Sequence, residues 1–175
     1  MPKRDWLSYI PEIDAGYAPW LHDHGSLTRR IQQRCEKFHV RNFYTGLNMA
    51  SRDELSILNV PRRQQIYTRE VFLYADNEPV VFAHSVVAAQ HLRGAWHALQ
   101  HLGSRPLGAL LFSHPLVQRA PLRYSVLKPD HPLYRHATAA LTTPPQRLWA
   151  RRSVFSLQGA PLLVTEVFLP GILKL

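Results

Sequence analysis

The stretch Ile66–Val87, IYTREVFLYADNEPVVFAHSVV, constrains the fold of this chain more than any other. Two apolar runs rich in Val, Phe and Tyr flank Ala75-Asp76-Asn77-Glu78, and the Asp-Asn pair favours a tight turn. Pro79 follows the turn, where a missing N–H costs least. The pattern predicts a β-hairpin. Inside its first strand lie two adjacent charges, Arg69 and Glu70. Strand side chains alternate between faces, so Arg69 shares its face with Tyr67, Val71 and Leu73, and Glu70 shares the other with Phe72 and Tyr74. One of the two charges must therefore point where its neighbours bury apolar surface. A guanidinium held there requires an anionic partner, either a protein carboxylate or a ligand.

The C-terminus poses the same question with the opposite sign. Pro161–Pro170, PLLVTEVFLP, is an apolar strand interrupted only by Thr165 and Glu166. Glu166 shares a face with Leu162, Val164 and Phe168. A buried Arg on one strand and a buried Glu on another predict a small polar pocket in an antiparallel sheet. Two arrangements satisfy them: a direct Arg69–Glu166 ion pair, or a ligand gripped at opposite ends.

At 175 residues the chain is expected to form one domain, residues 1–175, with a core that needs no metal or disulfide staple. The single cysteine, Cys35, excludes an internal disulfide and a multi-cysteine zinc site. No apolar run reaches the length of a membrane span, and the start MPKRDWLSYIPEIDAG lacks the apolar segment of a signal peptide. The expected location is the cytoplasm. The formal net charge of +9 admits three uses: nucleic-acid binding, attraction to an anionic membrane surface, or steering of a small polyanion. Composition alone does not choose among them, although the arginines are spread along the chain without a basic run interleaved with aromatics.

Met1–Tyr17 reads as a loosely packed arm. Ser26 is placed as the N-cap of a helix over Leu27–Phe38, in which Leu27, Ile31, Cys35 and Phe38 recur at helical spacing; for Leu27 alone that spacing indicates a core position. Phe38–Met49 alternates as a strand, and Ser51-Arg52-Asp53-Glu54 fits a capping box for a helix ending at Leu58. After the hairpin, Leu92, Ala95, Trp96, Leu99 and Leu102 predict a helix over Gln90–Leu102 stopped by Gly103. Pro106 opens a short helix over Leu107–Phe112. Leu122–Lys128 is a strand, and a short helical stretch follows Pro132. Leu148–Leu157 and Pro161–Leu169 pair around Gln158-Gly159 as a second hairpin. About six strands arriving in neighbouring pairs predict an α+β fold with an antiparallel sheet.

Familiar catalytic signatures are missing. His97 and His101 stand four apart, but on the polar side of their helix, with no intervening Glu and no third ligand; they read as a solvated face. Gly103 and Gly108 lack the Lys-Ser/Thr of a phosphate loop. No Gly-x-Ser-x-Gly elbow exists, and nothing pairs Cys35 with a histidine. What remains is Arg69 with Glu166: a guanidinium suited to a carboxylate, and a carboxyl that apolar surroundings would bias toward its protonated form.

REVFLYADNEPVVFAHSVV, LGSRPLGALLF, LWARRSVFSLQGAPLLVTEVFLP and the earlier DHGSLTRRI, in that order, resemble the chorismate lyase (chorismate pyruvate-lyase) family. The likeness runs from about Trp20 onward. It implies a six-stranded antiparallel sheet with helical flaps over a buried ligand, and cofactor-free, metal-free conversion of chorismate to 4-hydroxybenzoate and pyruvate for ubiquinone synthesis, with product inhibition. The family's ligand-gripping Arg matches Arg69 and its Glu matches Glu166. The Pro-Leu-Gly leucine matches Leu107. The flap residue near the first cap matches Leu27, a Leu where well-known members carry Met, which is a near-isosteric apolar swap. The stretch Pro129–Pro145 departs from the shortest members. On these matches we expect Arg69 to hold the ring carboxylate, Glu166 to sit near the C4 oxygen as proton donor or hydrogen-bond partner, and Leu27 and Leu107 to close apolar surface over the ring. It implies chorismate and 4-hydroxybenzoate as small-molecule partners of a monomer, without nucleic acid and without membrane insertion, leaving transient contact with an anionic membrane surface open. The rival expectation is an effector-binding domain of the kind found in bacterial transcription regulators, which share this fold. Those carry an N-terminal winged helix, for which the arm before Trp20 is too short.

Overall fold

A computed structural model describes residues 6–10 and 12–175 of the chain. Seven strands run as β1 (Phe38–Met49), β2 (Gln65–Ala75), β3 (Glu78–Ala88), β4 (Gln118–Arg119), β5 (Arg123–Leu127), β6 (Leu148–Leu157) and β7 (Ala160–Phe168). They form one sheet in the order β1-β2-β3-β7-β6-β4, with β5 also on β6, and every pairing is antiparallel. The strand beyond the expected six is β4, too short to leave an alternating pattern. Five short helices are α1 (Ala18–Leu21), α2 (Leu27–Gln32), α3 (Arg52–Leu58), α4 (Leu107–Ser113) and α5 (Pro132–Thr138). None among the described residues is long and apolar enough to cross a membrane.

Both hairpins turn where the residues tolerate a left-handed backbone. Asp76 and Asn77 have φ of 48° and 70°, and Gln158 and Gly159 have 52° and 76°, the sign pattern whose twist matches that of paired strands. In the first hairpin Tyr74 lies opposite Pro79 and Leu73 opposite Val81, so Val80 is an extra, bulged residue. Asp76 also ends the preceding segment: its Oδ1 accepts from the backbone N–H of Glu36 and Lys37, at 3.0 and 2.8 Å. That capture is why α2 stops at Gln32 and the chain is extended from Phe38, instead of remaining helical through Phe38 as the spacing predicted.

The sheet is covered on both faces. On one side Trp20, Leu21, Leu27 and Ile31 pack on Val71, Leu73, Val81 and Phe168, and Leu99, Leu107 and Leu111 pack on Val87, Phe155 and Val164. On the other, Leu58 meets Ile66, Val86 and Leu163, and Tyr134 meets Phe72, Phe82 and Val167. Each fully buried side chain of this size contributes about 1.5–3 kcal/mol. Both adjacent charges of β2 are consequently buried, Arg69 and Glu70 each at 3% exposure.

The helix expected over Gln90–Leu102 is instead two 3₁₀ segments, Ala89–Arg93 and His97–His101, broken at Gly94 (φ −136°, ψ −116°). The apolar residues recur every three or four positions, an interval that serves a three-residue turn as well as an α-turn. The Trp96 indole N–H fixes the segment by donating to the Ala160 carbonyl at 3.0 Å. Of the N-terminal arm, residues 1–5 and 11 lie outside the described residues. Leu7 exchanges backbone hydrogen bonds with Tyr124, at 2.9 and 2.8 Å.

Candidate active site

Arg69 on β2 sits on the sheet face covered by α2 and α4. Its Nη2 donates to the carbonyls of Gly103 and Arg105, at 3.1 and 2.9 Å. Gly103 adopts φ of 56°, a conformation that favours glycine, and the turn it makes carries the chain into Pro106 and α4. No carboxylate bonds to Arg69 among the described residues. Burial pushes its guanidinium below the ordinary value, with the Tyr67 hydroxyl as a smaller opposing influence. An anion placed against it would relieve that penalty.

Glu166 on β7 does not pair with Arg69. The register sets Arg69 opposite Ser85 and Ser85 opposite Val164, so Glu166 lies two strands away and two residues along, about 12 Å between Cα atoms. Its partner is Arg151, directly opposite on β6, whose Nε donates to Glu166 Oε2 at 2.6 Å. Arg151 is fully buried, and its Nη1 donates to the carbonyls of Trp20 and Asp23, anchoring the end of α1 to the sheet. The apolar surroundings expected for Glu166 are therefore corrected: Leu162, Val164 and Phe168 are buried on its face, but a guanidinium joins them. Of the two arrangements open to Arg69 and Glu166, the direct ion pair is not formed.

Two helix starts close the face. Leu27 opens α2 behind the Ser26 cap, whose side chain accepts from the Arg29 N–H, and Leu107 opens α4 behind Pro106. They are 3% and 8% exposed. The two helices meet at Gly108, where an added Cβ would lie 3.2 Å from Thr28 Oγ1 and 3.4 Å from Ser26 Oγ. Leu27, Arg69, Leu107 and Glu166 line one cavity, together with Val71, Ala83, Ser85, Leu111, Phe112, Arg119, Ser153, Phe155 and Val164. The four residues singled out in the sequence thus share a single space. Its chemistry suits a small molecule with an anionic group at the Arg69 end and an oxygen at the Glu166 end, with apolar side chains between them.

Sequence reasoning missed two arginines of this site. Arg151 was hidden in the Arg151-Arg152 pair. Arg119 lies on the two-residue β4, its guanidinium 5.2 Å from the Phe155 ring and 5.5 Å from that of Phe112, with Nη1 donating to the His24 carbonyl at 2.8 Å. The opposite sheet face carries a second buried polar group. His84 Nδ1 is 2.8 Å from Glu70 Oε1 and its Nε2 is 2.7 Å from Glu54 Oε1, while His136 Nδ1 is 3.0 Å from Glu70 Oε1. Burial alone would push the His84 imidazolium down, but its hydrogen bonds to Glu54 and Glu70, helped by their charges, outweigh it and raise the pKa to about 9. Burial likewise pushes both carboxyls up and is outweighed by the hydrogen bonds to His84, leaving Glu54 and Glu70 below the ordinary value. This network ties α3 and α5 to the sheet. His97 and His101 are both exposed, and among the described residues no group of three or more His, Cys, Asp or Glu is placed to hold a metal ion.

The chain matches known proteins along its length. The family model described as chorismate lyase matches residues 7–174. A probable chorismate pyruvate-lyase of Nitrosomonas europaea is 52% identical over 156 residues, covering 89% of this chain and 88% of the relative. Another from Nitrosospira multiformis is 48% identical over 172 residues, covering 98% and 96%. Among solved structures, the effector domain of PhnF from Mycobacterium smegmatis aligns with a TM-score of 0.61 at 15% identity, covering 84% of this chain and 90% of that one; at that identity the likeness is one of fold. The family match and these relatives, with the cavity that gathers Arg69 and Glu166 beneath two helix starts, assign the chain: it belongs to the chorismate lyase family.

Proposed function

We propose that this protein is a chorismate pyruvate-lyase, converting chorismate to 4-hydroxybenzoate and pyruvate. The observation that carries this reading within the family is the pairing, in one cavity, of a buried arginine that bonds to no carboxylate among the described residues with a glutamate two strands away. Chorismate has a ring carboxylate at C1, an enolpyruvyl ether at C3 and a hydroxyl at C4. When the C3–O bond breaks, its electron pair leaves on the enolpyruvyl oxygen. The C4–H bond supplies the electrons of the new C3=C4 double bond, and the proton ends on the methylene carbon, giving pyruvate. No external oxidant or co-reactant is needed, because the ring becomes aromatic.

The protein's task is to orient the substrate, exclude water and steady the developing charge. In this reading Arg69 holds the ring carboxylate and is itself fixed by the carbonyls of Gly103 and Arg105. Glu166, held in place by Arg151, bonds the C4 oxygen, and Leu27 and Leu107 close over the ring. The product keeps both the C1 carboxylate and the C4 oxygen, so the same two groups grip it; this supports slow release and inhibition by 4-hydroxybenzoate, the ring precursor the protein would supply to ubiquinone synthesis. Incubating purified protein with chorismate and measuring both products by chromatography tests the reading. Equal amounts of 4-hydroxybenzoate and pyruvate are expected, strongly reduced in Glu166→Ala. Tight binding of 4-hydroxybenzoate without turnover would overturn it in favour of a non-catalytic ligand-binding domain.

A further inference from the structure

At the Glu166 end of the cavity stands a cation that the two-point grip leaves without a task. Arg119 lines the cavity and is wedged between the rings of Phe112 and Phe155. Among the described residues its acceptor is a backbone carbonyl, that of His24. Its Nε is buried and has no hydrogen-bond partner among the described residues, and the same is true of Arg151 Nη2, on the residue that holds Glu166. A buried charged donor left unpartnered is expensive, so the guanidinium of Arg119, which lines the cavity, points to an anion that completes it.

The carboxylates nearby do not fill that role. Glu166 and Asp23 both attract Arg119 electrostatically, and the like charge of Arg151 repels it. Glu166 is bonded to Arg151, and Asp23 lies 3.6 Å from Arg30 Nη1. Glu166 is paired with Arg151, which leaves the two guanidiniums that line the cavity, Arg69 and Arg119, bonded to no carboxylate among the described residues. A monoanionic product satisfies one of them; a dianionic substrate satisfies both.

We propose that Arg119 binds the carboxylate of the enolpyruvyl group, so that the cavity grips chorismate as a dianion, with Arg69 at the ring carboxylate and Arg119 at the leaving group; this rests on the lyase reading above. Arg119 then acts where the reaction needs it. As the C3–O bond breaks, negative charge grows on the enolpyruvyl oxygen, and a guanidinium already seated on the adjacent carboxylate stabilises it. Once the bond is broken the two anions are no longer tethered, so pyruvate leaves Arg119 while 4-hydroxybenzoate stays on Arg69 and Glu166. Arg119 is thereby the residue that separates substrate from product.

Calorimetric titration of wild type, Arg119→Gln and Arg119→Lys with two ligands tests this. One is 4-hydroxybenzoate. The other is 3-(carboxymethoxy)-4-hydroxybenzoate, a stable aromatic dianion carrying a second carboxylate on the C3 ether. Arg119→Gln should weaken the dianion by about 10- to 100-fold while leaving 4-hydroxybenzoate within about 3-fold of wild type. Arg119→Lys, which keeps the charge and loses the planar fork, should fall between the two. Equal losses for both ligands, or an unchanged dianion affinity, would overturn the proposal. Should Arg119→Gln fail to fold, Arg119→Lys alone decides it: the ratio of the two affinities must fall by about 5-fold or more. The readout is binding, so a wild type that releases no pyruvate from chorismate defeats the lyase reading separately.

Discussion

Glu166 Oε2 accepts a 2.6 Å hydrogen bond from Arg151 Nε directly across the β6–β7 ladder, and the same guanidinium holds the carbonyls of Trp20 and Asp23. One arginine thus fixes both the Glu166 carboxylate and the segment leading into α2. Removing it strands the Glu166 charge and frees those carbonyls. Arg151→Met should lower stability by about 3–5 kcal/mol, measured by urea denaturation. The double variant Arg151→Met/Glu166→Leu should recover more than half of that loss, because it removes the stranded charge. No recovery would mean that the carbonyl contacts, not the ion pair, carry the effect.

Arg69 bears the binding prediction. Its Nη2 is committed to two carbonyls, which holds the remaining edge of the guanidinium in a fixed orientation. Arg69→Ala should weaken 4-hydroxybenzoate by about 100-fold or more, the scale of a lost charge-assisted contact in a dry site. Arg69→Lys should recover little, since an ammonium cannot keep both carbonyls and present a planar fork to a carboxylate. Calorimetric titration reads both, and an affinity unchanged in Arg69→Ala would defeat the assignment.

The sequence disclosed most of the sheet because its signals there are local. Asp76, Asn77 and Gly159 mark turns whose left-handed conformation few other residue types adopt as readily, and alternation assigns the faces. Leu27, Arg69, Leu107 and Glu166 stand on one cavity, and the family motifs pointed to all four. The partners of the buried charges depend instead on register. Counting outward from the Gln158-Gly159 turn without interruption pairs Arg151 with Glu166, so that contact was legible in principle. The same count from Asp76-Asn77 sets Glu70 opposite Ala83, and only the bulge at Val80 moves it opposite His84. Arg119 offered no signal at all. Its strand is two residues long, and what brings it to the cavity is a tertiary pairing with Phe155.

The His84 network gives a pH dependence with a defined sign. Glu54 and Glu70 raise the folded-state pKa of His84 to about 9, above the ordinary 6.5, so its stabilisation is complete below about pH 6.5 and is lost as pH rises through about 9. The two glutamates are held below their ordinary value, so their share is present above about pH 4.5 and is lost in acid. The melting temperature should therefore be highest between about pH 5 and 6.5 and fall by on the order of 5 °C by pH 9.5. In His84→Gln the alkaline decline should flatten. A decline equally steep in that variant would place its origin in other groups.

Gly108 sets how closely α2 and α4 meet. An added Cβ would stand 3.2 Å from Thr28 Oγ1 and 3.4 Å from Ser26 Oγ, tight enough that alanine requires a shift of a few tenths of an ångström. Valine adds two further carbons with a stiff χ1, and the cap of α2 leaves them no room. The cheapest relief is for α4 to swing outward, since Phe112 on that helix is already exposed, whereas the sheet beneath is close-packed. Gly108→Val should then speed dissociation of 4-hydroxybenzoate by about 10-fold, with the association rate changed far less. Stopped-flow ligand displacement measures the rates, and thermal melting provides the control. A large drop in melting temperature with an unchanged dissociation rate would show that the Gly108 contact secures the fold of α4 and does not govern enclosure of the ligand.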